Sequence, residues 1–184
     1  MDRGQSDYLS YLQGNKDAFS GVLDAYRDNL IFFINRYVKN ENIAEEIAAD
    51  CFVELIVRPK RYNPELPLKN YLFTIAHHKA VNYIRRSKLI SFIPISDKVE
   101  KSSEYSEFED EILKNEEVKT IHKALFNLKD DYRTVLHLIY FEKMSYKEAA
   151  NVMKKTVKQI DNLTSRAKTA LRKTLEKEGF SHAK

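Results

Sequence analysis

The sequence predicts an all-α protein with two small helical domains joined by a flexible acidic linker, the second domain containing a helix-turn-helix. Three observations predict this fold class. The 184 residues include only four Gly and four Pro, which leaves little material for the tight turns of β structure. Apolar residues recur at three- and four-residue intervals along most of the chain, as they do on the buried face of an amphipathic helix. Residues 89–116 interrupt this pattern and separate the two helical parts.

The first domain, residues 1–88, is predicted to contain three helices and a short leading helix over residues 6–12. Apolar residues at helical spacing place the first long helix over residues 16–38 and the second over residues 41–57. A third helix is expected over residues 68–88, after a break that contains three prolines. Proline enforces this break because it has no backbone N–H and disfavours helix in the residue before it.

Two single residues carry expectations of their own within this domain. Asn15 directly precedes the first long helix, and we expect it to act as the N-cap. Cys51 lies among Ile47, Ala48 and Phe52 on the apolar stripe of the second helix, so it is expected in the core. Because it is the only cysteine, it cannot form an internal disulfide or complete a cysteine metal cluster.

Residues 89–116 are predicted to form the linker. After the short apolar run LISFIPI, the segment has no helical period. Between positions 97 and 116, eight acidic residues stand against three lysines. Such a composition cannot bury enough apolar surface to fold, so we expect an extended and mobile segment.

The second domain, residues 117–184, is predicted to contain four helices, the last two of which begin with capping boxes. Ser145 with Glu148, and Thr156 with Gln159, fit the pattern in which two side chains satisfy each other's backbone donors at a helix start. A short helix over 146–153, a tight turn and a longer helix from 157 to about 176 give the layout of a helix-turn-helix.

The longer helix is predicted to have an apolar side and a basic, polar side. At about 100° per residue, the apolar side carries Ile160, Leu163, Ala167 and Leu171. The opposite side offers side chains that can contact bases or phosphates in a DNA groove. Between positions 143 and 177, ten Lys or Arg stand against three acids. A solvated surface helix is the plainer alternative to a groove-binding one.

The charges of the first domain are segregated along the chain. From Glu41 to Glu54 there are five acids and no Lys or Arg, with Glu46, Asp50 and Glu54 at four-residue steps along one face. Residues 69–88 invert the pattern, with five basic residues and no acid. Like charges at that spacing are mildly destabilising, so the acidic row indicates a basic partner, although solubility alone is the simpler explanation.

The third helix of the first domain also carries aromatic residues, namely Tyr71, Phe73 and Tyr83, with Tyr62 just ahead of it. Bases removed from a duplex stack on aromatic side chains while Lys and Arg hold the backbone phosphates. We therefore predict a single-stranded nucleic-acid surface here, although several of these rings are expected to be core instead.

Several function classes are disfavoured. No stretch approaches the roughly 18 apolar residues of a membrane span, and the start MDRGQSDYLSYL lacks a secretory signal, so we expect a cytosolic protein without membrane insertion. His77 and His78 are adjacent, so their side chains diverge on a helix, and no phosphate loop, nucleophile elbow or metal-ligand spacing accompanies them. We expect no enzyme activity, no cofactor and no metal.

Three segments together resemble regions 2 and 4 of the sigma-70 family of RNA polymerase sigma factors, specifically its small extracytoplasmic-function type. They are AEEIAADCFVEL, YLFTIAHHKAVNYIRRSK and LKDDYRTVLHLIYFEKMSYKEAANVMKKTVKQIDNLTSRAKTALRK. A linker of about thirty residues is too short for the third helical domain of larger sigma factors, which favours the small type. The run KQIDN also resembles the stationary-phase and sporulation branch, so the subgroup stays open.

The resemblance implies an alternative sigma factor, which binds RNA polymerase core and directs promoter recognition, minus-ten melting and transcription initiation. The expected partners are the β′ clamp helices and β flap of the core enzyme, promoter DNA and, in many members, an anti-sigma factor. The linker would thread toward the polymerase active cleft. A one-component helix-turn-helix regulator that never binds polymerase is the alternative, and it leaves the acidic row without a role.

The resemblance also implies three groups of site residues. Core-polymerase binding falls to the acidic residues Glu45, Glu46, Asp50 and Glu54. The melted minus-ten element is assigned to Asn70, Tyr71, His77, His78, Arg85, Arg86 and Lys88. The minus-thirty-five duplex is assigned to Lys155, Thr156, Lys158, Gln159, Asn162, Ser165, Arg166 and Thr169.

Four positions depart from the usual residues of the family. Ala49 replaces Gln, which leaves the individual contacts with the core enzyme open, and Lys129 replaces Pro before the second helix of region 4. His78 replaces Asn and Asn82 replaces Asp, which leaves the preferred minus-ten sequence open.

Overall fold

The chain is all-α in the part that the computed structural model describes, residues 2–90 and 116–177, where there are eight α-helices and no strand. The predicted fold class is confirmed. The chain divides into two units, within residues 1–103 and 104–184. Most of the predicted linker, residues 91–115, lies outside the described residues.

The first unit has four helices in the predicted order, with short 3₁₀ turns before the second and after the third. The helices are α1 (Arg3–Leu12), α2 (Phe19–Val38), α3 (Glu41–Val57) and α4 (Leu68–Ile90). The bounds of α3 agree with the prediction because Asn40 caps it, its side chain accepting from the N–H of Ile43 at 3.1 Å. Helix α4 extends two residues past the predicted end at Lys88.

Two details of the predicted first long helix were wrong. Lys16–Ala18 form a 3₁₀ turn, and the α-helix begins only at Phe19. Asn15 does not cap this helix, because the α-helix starts after Ala18 and no backbone N–H of a described residue donates to the Asn15 side chain, whose amide donates to the hydroxyl of Ser10 at 3.2 Å.

The core of the first unit is built around α2, which packs against α1, α3 and α4. Its side chains Leu30, Phe33 and Ile34 are fully buried, and the ring of Phe33 lies 5.0 Å from that of Phe73 on α4. Cys51 is buried as predicted, and its Sγ donates to the carbonyl of Ile47 at 3.1 Å. Burial raises the pKa of the Cys51 thiol to about 12.

Helix α1 holds the segment that joins α3 to α4. The hydroxyl of Tyr8, which is fully buried, donates to the carbonyl of Leu55 at 2.9 Å. That carbonyl belongs to the last turn of α3, where no helical N–H can reach it, so Tyr8 satisfies a group that would otherwise be buried without a partner. The side-chain amide of Gln5 donates to the carbonyls of Pro64 and Leu66 at 3.2 and 3.3 Å.

Close contact between α1 and α2 depends on Gly4. A Cβ atom at this position would overlap the ring of Tyr26 and the side chain of Ala25. The hydroxyl of Tyr26 donates to the carboxylate of Asp2, which also accepts from the N–H of Gln5 and so caps α1. The N-terminal helix is therefore fixed to both of its neighbours.

The second unit has four helices: α5 (Glu116–Phe126), α6 (Asp130–Leu136), α7 (Tyr146–Met153) and α8 (Val157–Lys177). Both predicted capping boxes are confirmed. At α7, the N–H of Ser145 donates to Glu148 at 2.7 Å and the N–H of Glu148 donates back to the Ser145 hydroxyl at 3.3 Å. At α8, the corresponding bonds of Thr156 and Gln159 are 2.8 and 3.2 Å long.

A π-helical turn, His137–Phe141, continues α6 where the sequence predicts regular helix. The N–H of Glu142 donates to the carbonyl of His137 at 3.1 Å, which closes the wider turn. The side chains of the same two residues are both buried, and their Nε2 and Oε1 atoms lie 3.2 Å apart.

Among the described residues, no helix combines the length and apolar character that a bilayer crossing requires.

Tyr8→Phe tests the bond between α1 and the end of α3. We expect the first unit to lose about 1 to 2 kcal/mol of unfolding free energy, because the Leu55 carbonyl stays buried without a donor. Hydrogen exchange of the α1 and α3 amides in the full chain measures this loss in the unit itself. The matched control is Tyr11→Phe, since Tyr11 lies on the same helix, is half-buried and donates no hydrogen bond to a described residue. Equal protection of both variants would contradict the assignment.

Candidate nucleic-acid and protein-binding surfaces

Helix α8, the recognition helix, has its apolar stripe fixed in the core of the second unit. Ile160, Ala167 and Leu175 are buried, while Leu163 and Leu171 are half-buried. Thr164 is also buried, although its polarity gave no sign of this in the sequence. Its hydroxyl donates to the carbonyl of Ile160 at 2.8 Å, so burial leaves no unsatisfied donor.

The opposite side of the recognition helix is exposed over its first four turns, as predicted. The exposed residues of the predicted duplex-binding group are Thr156, Lys158, Gln159, Asn162, Ser165, Arg166 and Thr169. Lys158 and Arg166 form no ion pair with any described residue. Their cationic groups are therefore available to a base edge or a phosphate.

Four members of this group already have side-chain partners. The hydroxyl of Thr169 donates to the carbonyl of Ser165 one turn back, at 3.1 Å. Thr156 and Gln159 bind each other in the capping box, which fixes their geometry at the start of the helix. Lys155 is half-buried, and its Nζ lies 3.1 Å from a carboxylate oxygen of Asp131 on α6. Lys155 is thus less available than the prediction assumed.

A contact missed by the sequence prediction fixes the recognition helix to the π-helical turn. The Nζ atom of Lys168 lies 5.1 Å from the ring centre of Tyr140. A hydrogen bond with the Tyr140 hydroxyl raises the pKa of Lys168. The two residues are 28 positions apart, and no local pattern indicates their pairing.

The outward side of α3, opposite its buried stripe, carries the predicted acidic row. Glu46 is exposed and forms no ion pair with any described residue. Asp50 is also exposed, and one of its carboxylate oxygens lies 3.2 Å from Nζ of Lys79 on α4. A basic partner would therefore meet the Glu46 carboxylate without a competing cation, and the Asp50 carboxylate paired with one lysine.

The other two predicted acids are more strongly neutralised. Glu54 is mostly buried, and its carboxylate lies 3.1 Å from Arg61 and 3.9 Å from Arg58. Glu45 lies 2.9 Å from Arg27 on α2. The row is therefore less uniform than its sequence indicates, because basic residues outside α3 fold back onto it.

The outward side of α3 continues beyond the acids as an apolar surface. Val53 and Val57, one and two turns after Asp50, are 52% and 67% exposed. We call the surface formed by Glu46, Asp50, Val53 and Val57 the α3 face. Its apolar half was not predicted, because isolated valines in a helix give no indication of exposure.

The residues predicted to bind melted DNA divide into two kinds on α4. Arg85 and Arg86 are exposed, whereas Asn70, Tyr71, His77 and His78 are half-buried. Lys88 belongs to α4, but its side chain lies outside the described residues.

The aromatic residues of this region pack on neighbouring rings. Tyr71 lies 5.6 Å from Tyr62, and His77 lies 5.7 Å from Tyr37, as measured between ring centres. Burial raises the pKa of both Tyr62 and Tyr71. Phe73 is fully buried, so it belongs to the core and not to a stacking surface. Tyr71 and His77 are thus partly covered by neighbouring rings.

Within the described ranges, no group of three or more His, Cys, Asp or Glu is arranged to hold a metal ion.

Two family models match the chain. The model for sigma-70 region 2 matches residues 22–90, and the model for sigma-70 region 4 matches residues 119–171. Together they cover about two thirds of the chain and include α3, α4 and most of the recognition helix.

The chain is similar to whole sigma factors as well as to single regions. It is 24% identical over 164 residues to RNA polymerase sigma factor YlaC of Bacillus subtilis, covering 89% of this chain and 95% of that protein. It is 27% identical over 171 residues to the extracytoplasmic-function sigma factor SigW of the same organism, covering 89% and 91%.

Solved structures show the same fold. CnrH, in complex with the cytosolic domain of CnrY, matches with a TM-score of 0.67 at 20% identity over 95% of this chain and 98% of that one. The sigma factor RpoE of Bartonella quintana, in complex with the anti-sigma factor NepR, matches with a TM-score of 0.66 at 21% identity over 86% and 96%.

Arg166→Ala and Lys158→Ala test the exposed side of the recognition helix. We expect each to weaken binding to a promoter duplex by roughly 1 to 3 kcal/mol if a base contact is lost, or to reduce the salt dependence by about one ion if a phosphate contact is lost. Titration of a labelled duplex with the full chain at several salt concentrations distinguishes these outcomes. Lys177→Ala is the control, since Lys177 ends the same helix about 16 Å beyond Arg166. Wild-type binding and salt dependence in both variants would place the interface on another side.

Proposed function

Because the chain belongs to the extracytoplasmic-function group of the sigma-70 family, and is thus an alternative sigma factor that directs transcription initiation, we propose a division of labour among three of its helices. The α3 face binds RNA polymerase core, α4 contacts the melted minus-ten element, and the recognition helix binds the minus-thirty-five duplex. Members of this family are DNA-binding initiation factors, not enzymes. The observation that carries the proposal is the separation of charge between α3 and the recognition helix.

Docking on polymerase begins with Glu46 in this proposal. It is the member of the acidic row that is exposed without an ion pair to any described residue. The partner in this proposal is the pair of basic clamp helices of the polymerase β′ subunit. Their positive charges would meet the Glu46 carboxylate first. The ion pair of Asp50 with Lys79 is exposed, and exposed pairs contribute only about 0 to 1 kcal/mol, so a basic group of the partner can replace the lysine at small cost.

The apolar half of the α3 face adds affinity to this docking. Val53 and Val57 lie on the same side of the helix as Glu46 and are the exposed continuation of it. Their burial against a partner is favourable by the hydrophobic effect, whereas the carboxylates set orientation and association rate. We propose Glu45 and Glu54 as weaker contributors because arginines of the same unit neutralise them.

Promoter melting is assigned to α4. Arg85 and Arg86 are exposed and suit the phosphates of a separated strand. Asn70, Tyr71, His77 and His78 are half-buried, so they suit contact with the edges of bases at the protein surface. We propose the same role for Lys88.

The predicted domain division is part of the proposal. Residues 1–88 act as region 2, residues 117–184 as region 4, and residues 89–116 as the connection between them. Structural relatives are complexes with an anti-sigma factor or with the cytosolic domain of another protein. We propose an inhibitory partner of this kind, which would cover the surfaces that bind polymerase. The protein would act in the cytoplasm, together with the transcription machinery.

Transcription in vitro with purified core enzyme and a promoter library tests the function. We expect initiation at a defined set of promoters that core enzyme alone does not use. The alternative, a helix-turn-helix regulator that does not bind polymerase, explains only the second unit, whereas the first matches sigma-70 region 2. Duplex binding without core binding or initiation would favour that alternative.

Glu46→Lys tests the α3 face. We expect affinity for core polymerase to fall by at least about 30-fold, because a basic partner then meets a positive charge. Binding is measured by titrating labelled chain with core enzyme, and circular dichroism checks that the fold is intact.

Asp24→Lys is the matched control. It makes the same change of charge on α2, at a residue that, like Glu46, is exposed and forms no ion pair with any described residue. Its affinity for core enzyme should stay within about twofold of wild type. Equal affinities of the two variants would remove α3 from the polymerase interface.

A further inference from the structure

Helix α7 ends in a backbone conformation that normally requires glycine. Lys154 follows the helix with φ 52° and ψ 46°, in the left-handed region. The N–H of Lys155 donates to the carbonyl of Ala150 at 3.0 Å, and that of Lys154 donates to Asn151 at 3.4 Å. These two bonds form a Schellman motif, in which glycine is favoured at the left-handed position.

A lysine in this conformation opposes stability. Its Cβ crowds the following carbonyl in the left-handed region, a clash that glycine avoids. The turn itself is what joins the two helices of the helix-turn-helix, so the conformation cannot be given up. Lys39 and Lys143 also adopt a positive φ, so the conformation alone does not assign a use to the side chain, whereas the location of Lys154 does.

The surroundings of Lys154 indicate what that use is. The residue is exposed, and it forms no ion pair with any described residue. Lys155, its neighbour, is instead held by Asp131. The next helix begins at Val157, and in a helix-turn-helix the start of the second helix enters the major groove. The turn before it then passes beside the sugar-phosphate backbone that borders the groove.

We propose that Lys154 binds a phosphate of the DNA backbone next to the start of the recognition helix. The contact rests on the proposed binding of the recognition helix to the minus-thirty-five duplex, and it adds a residue outside the predicted duplex-binding group. Its ligand is a phosphate oxygen, which carries no sequence information, so the contact sets the depth and register of the helix in the groove.

The chain contains a matched comparison in Lys39. This residue ends α2 in the first unit with φ 54°, and its N–H donates to the carbonyl of Asn35 at 2.8 Å. It shares the charge and the left-handed backbone of Lys154, but it belongs to the first unit and not to the helix-turn-helix. Replacing Lys39 or Lys154 by glycine therefore makes the same change, the loss of one positive charge from a residue with left-handed backbone.

Lys154→Gly tests the proposal in the full chain, with a short duplex selected from a random pool by the wild-type protein as the probe. We expect affinity to fall roughly 8-fold at about 0.1 M salt, and the slope of log affinity against log salt to decrease by about one. Protection of the α7 amides against hydrogen exchange should rise severalfold, because glycine relieves the backbone. Lys154→Arg should keep both the affinity and the salt slope.

Lys39→Gly should leave affinity and salt slope at the wild-type values. Arg166→Ala separates failure of this contact from failure of the duplex-binding function. If Arg166→Ala weakens binding while Lys154→Gly does not, the phosphate contact is overturned and the recognition helix keeps its role. If neither variant changes binding, both the contact and the proposed duplex interface are overturned.

Discussion

Burial of α2 against the other three helices of the first unit is the constraint on which its functional surfaces depend. Because Leu30, Phe33 and Ile34 must all leave water, each neighbouring helix has only one side that it can turn inward. For α3 the inward side holds Ala44, Ala48, Cys51 and Leu55, so Glu46 and Val57 must point to solvent. The direction of the acidic row is thus a consequence of core packing.

The same reasoning applies to the second unit at smaller scale. Ile160 and Ala167 fix the rotation of α8, and the capping box of Thr156 and Gln159 fixes its start. The contact of Lys168 with the Tyr140 ring also fixes α8, and it does not involve the residues predicted to bind the duplex. These interactions leave the side chains of Lys158, Asn162 and Arg166, which we propose to face the DNA groove, exposed.

Local signals in the sequence were sufficient to predict most of the fold. The side chains of Asn40 and Ser145 each accept from the backbone N–H of the residue three positions later. The starts of α3 and α7 could therefore be predicted from residues close in the sequence. Asn15 fits the same rule, yet it bonds to Ser10, a residue of the preceding helix brought close by the turn between them. The rule fails there because residues 16–18 form a 3₁₀ turn, so that α2 begins after Ala18 and not after Asn15.

Prediction of the site was weaker where it depended on contacts between helices. Spacing placed Glu46, Asp50 and Glu54 on one side of α3, but the neutralisation of Glu54 depends on Arg61, which lies beyond a proline break. Thr164 is buried in the core of the second unit, which its polarity does not indicate, and its hydroxyl is satisfied by the carbonyl of Ile160. The π-helical turn brings together two buried polar residues, His137 and Glu142, whose pairing no spacing rule indicates.

The position of Cys51 limits how this factor can receive a signal. Oxidants react with exposed thiolates, and this thiol is fully buried, bonded to a carbonyl and kept protonated at neutral pH. It is also the only cysteine of the chain. In the folded state Cys51 is therefore poorly suited to react with oxidants.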